Sequence, residues 1–282
     1  MEIPTVSDRF SGDQVDQYYA SGCWGPETLG QLLARQAGER GAKTFVTDGT
    51  VSLTYREVHE ASLRLAAGLR ARGVRAGDRV AVQLPNWSEF VPVTAALARL
   101  GAVMVPIMPI YRRDEVGHVL DDARVCAAVT PSVWKGFDYL GMYRDLQAGR
   151  PALHSLVVVR GDDAVGPAET SVTTLAAATA DIDPVIAENE IGSPVGPDDP
   201  FVIVYTSGTT ARPKGCVHTF NTYLSGARAL GKAFAYRESD VQFGPSPITH
   251  TTGLVTSVML PMLHGAATHV MPDWEPRRGL AE

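Results

Sequence analysis

FVIVYTSGTTARPKG, residues 201–215, changes character part-way along: the apolar run Phe201–Val204 gives way to eleven positions, Tyr205–Gly215, packed with hydroxyls and glycine and closed by a lysine. The first part has the length and composition of a buried strand. The second predicts a loop that holds phosphate. Thr206, Ser207, Thr209 and Thr210 supply hydroxyl donors, Gly208 lets backbone approach an anion without a Cβ in the way, and Lys214 adds a mobile positive charge that closes the loop with Gly215. A Walker loop is excluded by spacing. Five residues separate Gly208 from Lys214, Pro213 stands where the second glycine is required, and Gly215 replaces the hydroxyl that would meet magnesium. A kinase glycine loop is excluded because the stretch has no G-x-G-x-x-G. The plain alternative is a Ser/Thr-rich turn between a strand and a helix.

Outward from this loop, helical and extended patterns alternate. Thr28–Arg40 repeats apolar residues at helical spacing, and Thr44–Tyr55 reads as a hairpin around Asp48-Gly49. A helix is expected over Tyr55–Arg72 and a strand over Arg79–Leu84. Pro85-Asn86 is then expected to cap a helix over Trp87–Leu100, followed by a strand Ala102–Ile107. Arg113–Ala123 reads as helix and Val125–Thr130 as strand. Beyond the loop come a helix Thr219–Ala235, a strand Asp240–Phe243, a helix Thr252–Leu263 opened by Thr251 or Thr252 as cap, and a strand Ala267–Met271. Such units make an α/β fold of layered sheets with flanking helices. Residues 180–200, rich in Pro, Asp and Gly, read as an exposed connection, which divides the chain into a first subdomain over 1–180, a linker over 181–200 and a second subdomain from 201 to 282 that carries the loop.

At Tyr205, Thr206, Ser207, Gly208, Thr209, Thr210, Pro213, Lys214 and Gly215 the chain resembles the adenylate-forming superfamily: acyl-CoA synthetases, aryl-CoA ligases, luciferases and the adenylation domains of peptide synthetases. Their loop has the form [YF]-[ST]-SGTTG-x-PKG-V, from which Ala211 and Cys216 depart. The region 55–107, the helix 111–123 (YRRDEVGHVLDDA) and the segment 246–254 (SPITHTTGL) are similar to the same family, so the resemblance runs from about residue 26 onward. It implies the large N-terminal domain of an ATP-dependent acid:CoA ligase. Family members continue roughly as far again, so the C-terminal lid is expected to be absent and the isolated chain inactive or very slow. The implied chemistry has two halves. A carboxylate attacks the α-phosphorus of ATP to give an acyl-adenylate, and CoA then displaces AMP. Thr206 to Thr210 with Lys214 and Mg²⁺ would stabilise the leaving pyrophosphate, which gives Thr206 and Lys214 the catalytic roles. A non-catalytic binding or scaffold module with the same fold is the competing reading.

The resemblance also places His250 at the boundary between the acyl pocket and the thiol entrance. Thr251 stands where peptide-synthetase domains have an aspartate for the substrate ammonium. An unpaired buried ammonium costs several kcal/mol, so an α-amino acid is disfavoured. Gly253 with Leu254 and Val255 points to a small-molecule carboxylic acid bearing a hydrocarbon group, aliphatic, alicyclic or aromatic. Asp121-Asp122 reads as solvated surface, because consecutive helical positions face apart. His218 lies close behind the loop, near the nucleotide or as a capping or packing residue. His264 and His269 lack a third ligand, so no metal site is inferred.

Composition limits the remaining classes. Apolar residues make up 45% of 282 positions, enough for a sizeable core, and a net charge of −6 gives no electrostatic reason to expect nucleic acid. Four lysines stand against twenty-one arginines, which makes Lys214 conspicuous. The three cysteines, Cys23, Cys126 and Cys216, form neither a disulfide framework nor a metal knuckle and fit a cytoplasmic setting. No secretory signal opens the chain, and Phe90–Ile110, interrupted by Arg99, Gly101, Pro106 and Pro109, reads as a core helix and strand rather than a membrane span.

Overall fold

The computed structural model describes residues 3–161, 171–192, 195–206 and 212–273. In chain order its strands are β1 (Thr44–Thr47), β2 (Ser52–Thr54), β3 (Arg79–Val82), β4 (Val103–Pro106), β5 (Val125–Pro131), β6 (Val133–Trp134), β7 (Phe137–Asp138), β8 (Ser155–Val159), β9 (Val172–Thr174), β10 (Pro200–Thr206), β11 (Lys214–Thr219), β12 (Val241–Gly244) and β13 (Ala267–Val270). The helices are α1 (Gly12–Ala20), α2 (Leu29–Arg40), α3 (Tyr55–Ala71), α4 (Phe90–Leu100), α5 (Arg113–Asp122), α6 (Tyr139–Ala148), α7 (Leu175–Thr179), α8 (Pro184–Ile191), α9 (Phe220–Ala233), α10 (Thr251–Leu254) and α11 (Leu260–His264).

Among the described residues the main sheet has seven strands in the order β11-β10-β4-β3-β5-β8-β9, all parallel except the β10–β11 pair. Alternation along its strands explains why both faces are covered. Val80, Val82, Met104, Ala127, Val129, Val157, Val202 and Val204 face one core with α2, α3, α4 and α9. Ala81, Val103, Val105, Val125, Ala128, Leu156, Val158 and Ile203 face the other with α5 and α6. A second sheet, β12-β13-β1-β2, borders the first core, to which Phe45 and Val46 of β1 and Val270 of β13 contribute buried side chains. Helix α4 is buried nearly throughout and ends on Gly101, whose φ of 69° is the left-handed conformation that a Cβ resists.

Capping residues set the helix starts. Thr28 with Gln31, Thr54 with Glu57 and Thr219 with Thr222 begin α2, α3 and α9 as reciprocal boxes. Asp183 accepts from the amides of Val185 and Ile186 to begin α8, with Pro184 as its first residue.

Four expectations change. Residues 181–200 are not a bare connection: they contain α8, which packs on α3, where Arg64 Nε donates to the Ile182 carbonyl at 3.2 Å. Because β10 pairs with β4, the strand after residue 200 belongs to the same sheet as β3, β5 and β8. Second, the loop does not lead from strand to helix. Lys214–Thr219 is strand β11, antiparallel to β10, so the loop closes a hairpin and the helix starts only at Phe220. Third, Asn86 caps nothing: α4 begins at Phe90, and the buried Asn86 side chain is used in a long-range contact described below. Fourth, the helix expected over 252–263 is interrupted by a π-turn at Val255–Met259. Pro261 cannot donate to the carbonyl four residues back, and its ring crowds that carbonyl, so the ladder is released there.

Candidate active site

Parallel strands deliver their carboxyl ends to one edge, and in open α/β sheets ligands bind outside that edge. Here β3, β4 and β10 end at Val82, Pro106 and Thr206. The hairpin register sets Tyr205 opposite Gly215 and Thr206 opposite Lys214, so among the described residues the two phosphate-binding candidates with side chains, Thr206 and Lys214, are paired where the sheet stops. Both are exposed, with Thr206 Oγ1 3.5 Å from the Lys214 carbonyl. Gly215 is half-buried within β11. Ser207, Gly208, Thr209 and Thr210 lie outside the described residues, as does Ala211.

Helix α5 holds both stems of the hairpin. The Tyr205 hydroxyl donates to Asp122 Oδ2 at 2.6 Å, and His118 Nε2–H donates to the Pro213 carbonyl at 2.9 Å. Burial, with the Asp122 carboxylate beside it, pushes the Tyr205 phenol well above its ordinary value, so it remains the donor. Asp122 is therefore not the solvated residue expected of it. Asp121 does face outward, where both its oxygens accept from Arg150, at 2.7 and 2.8 Å. His218 lies on β11 opposite Val202, half-buried with its ring edge-on to Tyr223, and burial lowers its pKa.

The His250 segment reaches the same edge. A cavity of about 20 Å³, room for one water, is bounded by Pro106 at the end of β4, Met108 after it, Tyr205 on β10, and Thr249 and His250. Asn86 places this segment: its Nδ2 donates to the Ser246 carbonyl at 2.9 Å and its Oδ1 accepts from the Ile248 amide at 2.9 Å, across 160 residues of chain. His250 itself is the cap of α10. Its Nδ1 accepts from the Thr252 amide at 3.3 Å, so the cap is neither Thr251 nor Thr252, which are instead the first and second residues of α10. Thr251 and Thr252 are exposed. Gly253 is buried, and a Cβ there would lie 2.1 Å from the Pro247 carbonyl oxygen, which gives this glycine a packing reason.

Sequence reasoning missed Asn86, His118 and Asp122. For the last two a signal existed, a His and an Asp spaced four apart in one helix. For Asn86 none existed.

As to an ion, the described residues hold no group of three or more His, Cys, Asp and Glu able to bind a metal. Thr206 and Lys214 fit a phosphate, whereas Mg²⁺ has no protein-only cage among them; such an ion commonly rests on one or two carboxylates and the substrate phosphates.

A family model described as "AMP-binding enzyme" matches residues 33–281. The chain belongs to this AMP-binding, adenylate-forming family. It is 30% identical over 280 residues to the medium-chain fatty-acid–CoA ligase of Escherichia coli (strain K12), covering 98% of this chain and 48% of that protein. To the 2,3-dihydroxybenzoate-AMP ligase of Bacillus subtilis (strain 168) it is 29% identical over 257 residues, 91% of this chain and 45% of that one. The apo structure of MbtA from Mycobacterium smegmatis superposes with a TM-score of 0.83 at 28% identity, covering 96% of this chain and 49% of the other. The chain thus spans about half the length of the curated relatives it matches. Among its described residues no helix is long and apolar enough to cross a membrane.

Proposed function

We propose that this AMP-binding chain supplies the phosphate-side wall and part of the acid pocket of an ATP-dependent, AMP-forming acid ligase, with CoA as the acceptor in the second half-reaction. The observation that carries this reading is the hairpin end, where Thr206 and Lys214 oppose each other at the carboxyl edge of the sheet and Tyr205 shares a cavity with His250.

In the first half-reaction the acid's carboxylate oxygen attacks the α-phosphorus of ATP, and the bond to the β-phosphate oxygen breaks. Negative charge accumulates on the departing pyrophosphate. The Lys214 ammonium and the Thr206 hydroxyl, with Ser207, Gly208, Thr209, Thr210 and Gly215 as further loop donors, meet it there. Mg²⁺, bound with the nucleotide, supplies further neutralisation of the phosphate oxygens. In the second half-reaction the thiol sulfur attacks the acyl carbon and AMP leaves. His250, exposed beside the cavity, stands at the boundary between acid and thiol, and its Nδ1 is already engaged by the Thr252 amide, so it gates by position rather than as a general base.

The acid is read as a hydrocarbon-bearing carboxylic acid rather than an α-amino acid, because Thr251 carries no charge to pair an ammonium. Relatives whose names specify a medium-chain fatty acid and 2,3-dihydroxybenzoate support an acid without a charged amine. The reading also holds that these 282 residues alone are slow or inactive, since positioning of reacting groups in such a site draws on both halves of a protein twice this length.

The test is exchange of labelled pyrophosphate into ATP by the protein carrying this chain, offered a panel of aliphatic, alicyclic and aromatic acids. One class should promote exchange, and Lys214→Ala should slow it by about a hundredfold, the scale of losing one transition-state donor. No exchange with any acid sinks the ligase reading, and retained ATP binding in that case would favour a non-catalytic module.

A further inference from the structure

Helix α5 covers the sheet with Val116, Val119 and Leu120, all buried. Its residues 118 and 122, four apart, share one face. That face meets the hairpin twice, through His118 Nε2–H to the Pro213 carbonyl and through Asp122 Oδ2 from the Tyr205 hydroxyl. The His118 ring also meets the Tyr205 ring edge-on, 6.2 Å between centroids at 82°. Each contact falls one residue from a phosphate-binding candidate: Tyr205 precedes Thr206, and Pro213 precedes Lys214. Pro213 carries no N–H, so its carbonyl is the only backbone group by which that stem residue is held. The Tyr205 bond to a carboxylate belongs to the stronger class of hydrogen bonds.

Resting on the ligase reading above, we propose that His118 and Asp122 are positioning residues for the pyrophosphate step. They act through Pro213 and Tyr205 to set where Thr206 and Lys214 stand at the end of the sheet. Neither touches the reacting atoms. β11 is the edge strand of the main sheet, with β10 its sole ladder partner among the described residues; the Arg9 guanidinium holds the Val217 carbonyl at the far end of β11, whereas α5 meets the end that carries Thr206 and Lys214. Two side chains from one rigid helix fix the spacing of the Thr206–Lys214 pair relative to the β4 end.

The experiment uses Asp122→Ala, Tyr205→Phe, His118→Leu and the conservative His118→Gln, which keeps an N–H donor, in the protein carrying this chain. The first readout is hydrogen exchange without ligand. Asp122→Ala and His118→Leu should accelerate exchange in peptides covering residues 200–206 and 214–219 by about tenfold, the effect of one lost hydrogen bond. β3 and β5 should be unaffected, and His118→Gln should restore most of the protection. The second readout is kinetic: half-saturation for magnesium pyrophosphate should rise about tenfold, with half-saturation for the carboxylic acid within about twofold. Unchanged exchange at the hairpin in both variants overturns the proposal. So does acceleration spread evenly through the sheet with a lowered Tm, which marks a merely structural role. Accelerated hairpin exchange in a protein that shows no pyrophosphate–ATP exchange with any acid sinks the ligase reading and still supports anchoring of the hairpin by α5.

Discussion

Two corners of this AMP-binding chain meet at the carboxyl edge of the main sheet, and they are secured in opposite ways. The corner at residues 244–250 is secured from inside, by the 6% exposed Asn86 side chain that bonds backbone groups of Ser246 and Ile248. The hairpin ending at Thr206 and Lys214 is secured from its flank, by half-buried groups of α5 that border solvent. A buried amide is costly to lose, because its partners are left without water. A flanking contact can be lost with the fold intact. The corner proposed to border the acid is therefore built into the core, and the hairpin end proposed to meet phosphate depends on contacts that can be removed singly.

The sharpest way to break this contrast is Asn86→Ala. It orphans the buried Ile248 amide and the Ser246 carbonyl and should cost about 3 kcal/mol in chemical denaturation. A loss below about 1 kcal/mol would mean that the corner is not held from inside. Gly253→Ala comes next. The added Cβ would lie 2.1 Å from the Pro247 oxygen, and overpacking of this kind costs about 2 kcal/mol. The same denaturation curves check it.

His218 sharpens the comparison on the hairpin side. Burial lowers its pKa in the folded protein below the ordinary value of 6.5, with Arg9 adding to the shift. The folded state then binds fewer protons than the unfolded state in the window below pH 6.5. Stability is fully present above 6.5 and is lost as pH falls through the folded pKa. His218→Gln should flatten that part of a stability profile recorded between pH 7.5 and 5, and an unchanged slope would assign it elsewhere. The smallest effect is expected for Asp121→Ala on α5. Its pair with Arg150 is exposed, so unfolding should change by less than about 1 kcal/mol. A larger loss would show that α5 is held to the body of the protein through its outward face as well.

Legibility followed locality. The apolar run 201–204 and the loop chemistry after it were readable because both lie within fifteen residues, and the capping boxes at Thr28 and Thr54 show why the helix starts were close to their expected positions. Strand β11 was not readable. Lys-Gly-Cys-Val-His-Thr has one buried apolar residue, Val217, and becomes a strand because β10 offers it a ladder. Asn86 was read by its local preference for helix starts, whereas its partners lie 160 residues on. Asp122 was read from helix geometry alone, which rightly separates it from Asp121 but cannot say which of the two finds a partner tyrosine. The π-turn had a visible cause in Pro261, a residue that the apolar periodicity of 252–263 outweighed.

That π-turn has a consequence for how specificity can drift. In a regular helix one residue adds about 100° of rotation, so a one-residue surplus between Val255 and Met259 decouples the angular phase of α10 from that of α11. The turn that follows His250 and the turn that packs Leu260 and Met262 are set as separate dials. Lengthening or shortening the 255–259 segment would swing the residues beside the cavity around the helix axis relative to α11, and because Val258 and Met259 lie in the core, that swing is absorbed by repacking within the segment itself; in the ligase reading proposed above, this turn is where acid preference and core packing are tied together.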